Sequence, residues 1–191
     1  MNKKIVYFKN VLETPYMMHM LHWRNQEYVR ENMLDNMPIS ENQHEKYLEI
    51  LKNTPLQKVF IAFYQDEPIA VMTMKHHDDF IETGSYLIHE EDMGKGFGVI
   101  TGFARMEYVF ACMPKGEMRT VILGHNKKNL SLQKNFGCEL REVSEIDKSD
   151  GTKEILYLYT MTKPSWDLKK EKIQRMINRL VPIEKIQWIE P

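Results

Sequence analysis

The chain has 191 residues, 42% of them hydrophobic and 28% charged, and its 26 basic and 27 acidic side chains leave a net charge of −1. That composition can bury the core of a globular domain, has no excess of positive charge to pull it toward nucleic acid, and contains no apolar run near the ~20 residues that cross a bilayer. Two cysteines, Cys112 and Cys138, make no disulfide framework, and the four-residue apolar stretch after MNKK is too short for a secretory signal, so the cytoplasm is the expected location.

The first elements are short. IVYF at 5–8 reads as a strand, and PYMMHMLHWR at 15–24 as a helix with Pro15 in its first turn. Ser40 followed by Gln43 is a capping-box signature. It opens a helix over SENQHEKYLEILKN in which His44, Tyr47, Leu48 and Leu51 share a face. KVFIAFY (58–64), PIAVMTMK (68–75) and FIETGSYLIHE (80–90) read as three successive strands, the first turn lying at Gln65-Asp66-Glu67. The third strand runs straight into a glycine cluster.

Gly94, Gly96 and Gly98 are three of only nine glycines in the chain. Glycine loses the most conformational freedom on folding, so such a cluster marks a backbone that turns tightly or approaches something closely. The spacing predicts that the amides of Lys95, Phe97 and Val99 face one concavity. Val99, Phe103, Met106 and Phe110 recur as one face of a helix over 94–112. A glycine turn entering a helix is an anion site, because unpaired N–H groups and the positive dipole end converge there. The three strands ahead of it argue against a dinucleotide fold, and no Lys-Ser or Lys-Thr pair follows the glycines as a Walker loop requires.

Further along, RTVILG (119–124) reads as a buried strand. NKKNLSLQKNFG (126–137) reads as a short helix with Asn126 at its start and Gly137 as its C-cap. CELREVSEI and KEILYLYTMT are two strands around a turn at 148–151. From Ser165 onward, Leu168, Ile173, Met176, Ile177 and Leu180 mark an amphipathic helix, read as a packed C-terminal arm.

With strand, MGKGFG, helix, strand VILGHN and a helix closed by Phe136-Gly137 in this order, residues 5–163 resemble the GCN5-related N-acetyltransferase superfamily. The resemblance implies an α/β (α+β) domain over 1–163, with a central mixed, mostly antiparallel sheet flanked by helices, and an amphipathic helical extension over 164–191. It implies acetyl-CoA as cofactor, with the pyrophosphate on the glycine turn and the strand after the turn's helix splaying away to admit the pantetheine arm. The residues so implicated are Leu87, Ile88, His89, Met93, Gly94, Lys95, Gly96, Phe97, Gly98, Val99, Asn126 and Asn129. Three positions depart from the family's pattern: Met93 where Arg or Gln is usual, Cys138 where an aromatic is common, and Gln133 where a tyrosine often protonates the leaving thiolate. Glutamine cannot act as an acid.

Trp23-Arg24-Asn25, the methionine-containing connection, Ile39-Ser40 and His44 resemble the branch that N-acetylates a nucleotide-linked 4-amino-4,6-dideoxy sugar in pseudaminic acid biosynthesis. Ribosomal-protein acetyltransferases share part of this pattern. The resemblance implies that Arg24, His44, Lys75 and Tyr86 face the nucleotide-sugar. Glu82 is the candidate base for the attacking ammonium, with His76 or His77 acting through water as the alternative. An N–H near Ile88 is expected to polarise the thioester carbonyl. No metal is expected at His76-His77-Asp78-Asp79, since neighbours on an extended chain point to opposite sides. A homodimer is compatible with the sequence. The rivals are acetylation of a protein N-terminus, an antibiotic or a polyamine, and a non-catalytic acyl-CoA-binding module.

Overall fold

The computed structural model describes residues 5–148, 151–181 and 183–189. Strands β1 (Ile5–Asn10), β2 (Gln57–Tyr64), β3 (Glu67–His76) and β4 (Phe80–Leu87) run antiparallel in sequence order. The β2–β3 turn consists of Gln65 and Asp66 alone, both at positive φ (54° and 68°), so Glu67 starts β3. Two left-handed residues give the turn whose twist matches a hairpin. β5 (Glu117–Leu123) lies parallel to β4, and β6 (Glu139–Asp147) and β7 (Lys153–Thr162) complete that side. A last strand, β8 (Lys185–Ile189), pairs parallel with β1, which gives one sheet in the order β6-β7-β5-β4-β3-β2-β1-β8. The expected mixed, mostly antiparallel sheet is the one observed. Ser149 and Asp150 of the expected 148–151 turn lie outside the described residues.

Helices cover both faces of the central strands, which is why VFIAF in β2 is apolar throughout instead of alternating. Val59, Ile61 and Phe63 pack under α1 (His19–Asn25) and α3 (Glu41–Asn53), with Met20, Trp23, Leu48 and Leu51. Phe60 and Ala62 face α4 (Phe97–Cys112), α5 (Lys127–Phe136) and α6 (Lys163–Leu180) on the other side. The α3 capping box forms as expected: Ser40 Oγ accepts from Gln43 N (3.3 Å) while Gln43 Oε1 accepts from Ser40 N (2.8 Å). The first helix begins at His19 instead of Pro15, and a four-residue helix, α2 (Glu27–Arg30), follows it. That turn is too short to leave a periodic signal.

α4 starts at Phe97, three residues later than expected, and is buried on nearly every side, not only along Val99, Phe103, Met106 and Phe110. A helix apolar all round must be covered all round, and α6 provides the outer cover. Trp166 stands edge-on to Phe103 (5.3 Å) and donates from Nε1 to Glu107 (2.7 Å). The stripe buried by α6 is Trp166, Ile173 and Ile177, whereas Leu168 is 83% exposed and Leu180 49%. The helix is amphipathic, but Leu168 and Leu180 lie off its buried face, because the packing centre is Trp166. The unforeseen β8 follows, and its Trp188 stacks on Phe8 (4.5 Å).

Trp166→Ala is expected to lower stability by about 3–5 kcal/mol, the usual cost of deleting a buried large aromatic. Urea denaturation measures it. A loss below ~1 kcal/mol would mean that α6 does not belong to the core.

Candidate functional site

β4 and β5 stay together for a short distance only. Their register covers Phe80↔Glu117, Ile81↔Met118 and Glu82↔Arg119, and Thr83 Oγ1 adds one bond to Arg119 O (3.2 Å). From Gly84 to Leu87 the β4 edge has no strand beside it, a length of roughly 13 Å at 3.3 Å per residue. The split opens toward the C-terminal ends of both strands. Antiparallel pairing turns alternate amides to β3, and the Ile88 N–H is one of them, donating to Ile69 O (3.0 Å). The N–H of Ile88 itself is therefore engaged, and a free donor near it must come from a neighbouring residue. By the same alternation, Leu87 and Ser85 present their N–H groups to the split.

At the open end lies the glycine turn. Gly94 and Gly96 have positive φ (87° and 92°), and Gly96 is the N-cap of α4. The Lys95 amide bonds Asp92 O (3.2 Å) and the Val99 amide bonds Gly96 O (3.0 Å), so two of the three amides expected to face a concavity are occupied. The amides of Gly94, Gly96, Phe97 and Gly98 donate to no group among the described residues. Four unpaired N–H groups at the positive end of a buried helix form an anion cradle. Gly96 must remain glycine for a second reason: a Cβ there would stand 2.8 Å from Val181 and 3.0 Å from Leu180. Gly94 and Gly98 have open space where a Cβ would go.

The neighbouring side chains follow from this frame. Lys128 Nζ reaches Met93 Sδ (3.6 Å), which brings the start of α5 beside the turn. Asn126 caps α5, its Oδ1 accepting from Asn129 N (3.1 Å). Exposed His89 precedes a short 3-10 turn, Glu90–Asp92. Gln133 is 1% exposed and serves as a buried hub: Oε1 accepts from Arg105 Nη2 (3.3 Å) and Cys138 Sγ (3.3 Å), and Nε2 donates to Asn129 Oδ1 (2.9 Å). Burial pushes the Cys138 thiol up to about 11 despite Arg105 beside it, and burial also lowers the Arg105 guanidinium.

On the α1–α3 face, Arg24 and Tyr86 come together. Arg24 Nη2 donates to Asp35 O (2.6 Å), while Nη1 is buried with no hydrogen-bond partner among the described residues. Desolvation lowers this guanidinium, opposed by Tyr86 and Asp35. Burial raises the Tyr86 hydroxyl, with Arg24 opposing. His44 lies elsewhere. It is 3% exposed and its Nε2 donates to Met17 O (2.8 Å), the arrangement of a satisfied core histidine.

Glu82, His77 and Lys75 gather at the joined end of β4 and β5. Glu82 lies opposite Lys75 on β3 and Arg119 on β5, and its Oε2 is 3.7 Å from His77 Nε2. This cluster is roughly 17 Å along β4 from Leu87. His76 is separated from it by strand alternation, its ring edge-on to Tyr108 of α4 (6.1 Å). Among the described residues, no group of three His, Cys, Asp or Glu side chains is placed to hold a metal ion.

Two polar residues of the mouth escaped the sequence reading. Tyr28 of α2 donates its hydroxyl toward Leu87 O (3.0 Å) and Ile88 O (2.5 Å), and Gln26 Nε2 joins it at Ile88 O (3.2 Å). Burial, with Glu90, Glu91 and Asp92 nearby, pushes Tyr28 up to about 12. A phenol held that firmly positions its partners; it is a poor acid for a thiolate. His125, just after β5, is the second such residue. Neither carries a motif, because each is defined by a contact distant in sequence.

No protein-family profile and no curated protein matches the chain. Solved structures do. The aminoglycoside acetyltransferase AAC(6')-Ib in complex with coenzyme A matches with a TM-score of 0.70 at 17% identity, over 86% of this chain and 99% of that one. The fold is that of the N-acetyltransferases. Spermidine N-acetyltransferase from Vibrio cholerae, in complex with CoA and spermine, matches at 0.76 with 12% identity, over 84% and 97% of the two chains. The Campylobacter jejuni N-acetyltransferase PseH matches at 0.61 with 17% identity, over 83% and 98%.

Because the Tyr28 hydroxyl is pushed up, it stays neutral in the folded protein where an unfolded tyrosine, near 10, ionises. Its contribution is present below pH ~10 and is lost as pH rises toward 12. Tyr28→Phe should remove one late-ionising phenol from the ultraviolet titration and cost about 1 kcal/mol in neutral solution. An unchanged titration curve would contradict the placement of Tyr28.

Proposed function

We propose that the chain is an acetyl-CoA-dependent N-acetyltransferase. The observation that carries this reading is a split sheet whose open end meets four unpaired amides at the start of α4. The cradle fits a pyrophosphate: Gly94 and Gly98 leave it open, and Lys95 and Lys128 stand beside it. Acetyl-CoA supplies the activated acetyl group. The protein's part is to pair the β4 edge with an extended amide-bearing arm, through the Leu87 and Ser85 amides, and to hold a neutral amine against it. Glu82 is the base we assign, with His77 beside it; solvent reprotonates the thiol, whose ordinary value of about 8.5 demands little help.

For the acceptor, we favour a nucleotide-linked amino sugar. Arg24, with a buried and unsatisfied Nη1 beside Tyr86, supports a site that takes an anionic oxygen, and an arginine fork suits a diphosphate. A second reading has its own support. Glu90 and Glu91 are exposed near Tyr28, and such carboxylates suit a polyamine or an aminoglycoside. Acetylation of a panel of UDP-, dTDP- and CMP-linked amino sugars, spermidine and kanamycin, followed by free thiol release, separates the two.

Gly98→Asp tests the cofactor assignment without steric conflict, since nothing lies within 4 Å of a Cβ there. A carboxylate in the first helical turn does not harm the fold. Calorimetry should show CoA affinity lost at least tenfold with thermal stability kept; unchanged affinity would remove the assignment. Arg24→Ala should raise KM for the nucleotide-sugar roughly ten- to a hundredfold, the value of a charge-assisted contact, and leave KM for acetyl-CoA nearly unchanged. Equal kinetics on the sugar would leave the polycationic acceptor in its place.

A further inference from the structure

The open end of the split is spanned. On the β4 side, α2 and its N-cap hold the strand through Tyr28 and Gln26, which donate to the Leu87 and Ile88 carbonyls. On the β5 side, the chain leaving α2 is held by His125, whose Nε2 lies 3.0 Å from Glu31 O. The other ring nitrogen, Nδ1, is bonded to the Glu154 carboxylate of β7. β4 and β5 are parallel, so Leu87 and His125 mark the two lips of one opening, and α2 with its flanking residues Gln26 and Glu31 touches both.

A carbonyl oxygen and a carboxylate are both acceptors only. A neutral imidazole has one N–H and can serve one of them, whereas an imidazolium serves both. Burial alone would raise the Glu154 carboxyl, but the His125 bond and charge, with the Ile155 and Gly124 amides, hold it below the usual range, so it faces the ring as a carboxylate. Glu31 meets the ring through its backbone carbonyl, just past the end of α2, and Lys127 and Lys128 follow His125 on its own segment.

We infer that α2 is a strap across the open end of the β4–β5 split, latched on the β5 side only while His125 carries both ring protons. Loss of one proton leaves a ring that keeps Glu154 or Glu31, not both, and the lip opens. What the opening admits rests on the cofactor reading above; the latch itself does not.

The test is hydrogen exchange on the free protein between pH 5 and 8.5, with ¹⁵N spectra of the His125 ring. The amides of Arg30 and Glu31, bonded to Gln26 O and Glu27 O, report on α2. Their protection factors should fall by about five- to tenfold as the ring loses its second proton. In His125→Phe they should be low and independent of pH, whereas in Glu154→Gln, whose amide can donate to the unprotonated ring nitrogen while the other N–H keeps Glu31 O, protection should stay high as pH rises. Protection that is flat across the range in the parent, or a transition that survives His125→Phe, would overturn the latch. Stopped-flow binding of CoA adds a separate arm: faster association above the transition supports gating. Binding at one rate on both sides of it would reject gating by the strap, and an absence of CoA binding would reject the cofactor reading while the exchange data still decide the latch.

Discussion

Two parallel strands that part after three paired residues organise everything else in the molecule. A strand edge left unpaired inside a sheet exposes N–H and C=O groups that water or another partner must satisfy. Here β4 keeps its bonds to β3, and β5 turns to β7, so each strand has one settled neighbour and one open edge. Helices α4 and α5 flank the opening on one face and α2 on the other, with Tyr28 and Gln26 donating to the carbonyls at the β4 lip. The opening therefore survives as a walled slot and does not close into an ordinary ladder.

The glycine turn gains its meaning from that slot. Any buried helix ends on unpaired amides, and most are capped by a side chain. α4 has no side-chain cap, because its N-cap is Gly96, and the chain spends glycines at 94 and 98 where a side chain would obstruct the approach. The helix is pinned from outside by α6, whose last residues rest on Gly96. The C-terminal segment thus acts on the site through packing: Trp166, Ile173 and Ile177 fix where the α4 N-terminus points.

Local chemistry made much of this legible in the sequence. The Ser40–Gln43 box and the Gly137 C-cap are short-range signals that fell where they were read, and the glycine cluster marked the turn but not which of its amides are free. The three strands 57–87 were legible because their hydrophobic runs are long and bounded by turns. What was not legible depends on contacts made at long range. Whether an amide faces β3 or the slot is set by register, which ties up the Ile88 amide and turns that of Leu87 to the slot. The same alternation put His76 on the α4 face, away from Glu82 and His77. α2 and β8 are short, and only their partners make them elements. Leu168 looked like a core position by spacing, but the helix is rotated by Trp166.

The central claim is that the slot and the amides of the α4 turn form one binding site for coenzyme A. A ¹H–¹⁵N correlation titration of the assigned protein with CoA tests it residue by residue. The account predicts that the amides of Gly94, Gly96, Phe97 and Gly98 shift most, with those of Ser85 and Leu87 moving along the same binding curve. Shifts confined to the groove of Glu107, Lys170, Gln174 and Asn178 between α4 and α6, with the glycine turn unmoved, would contradict it.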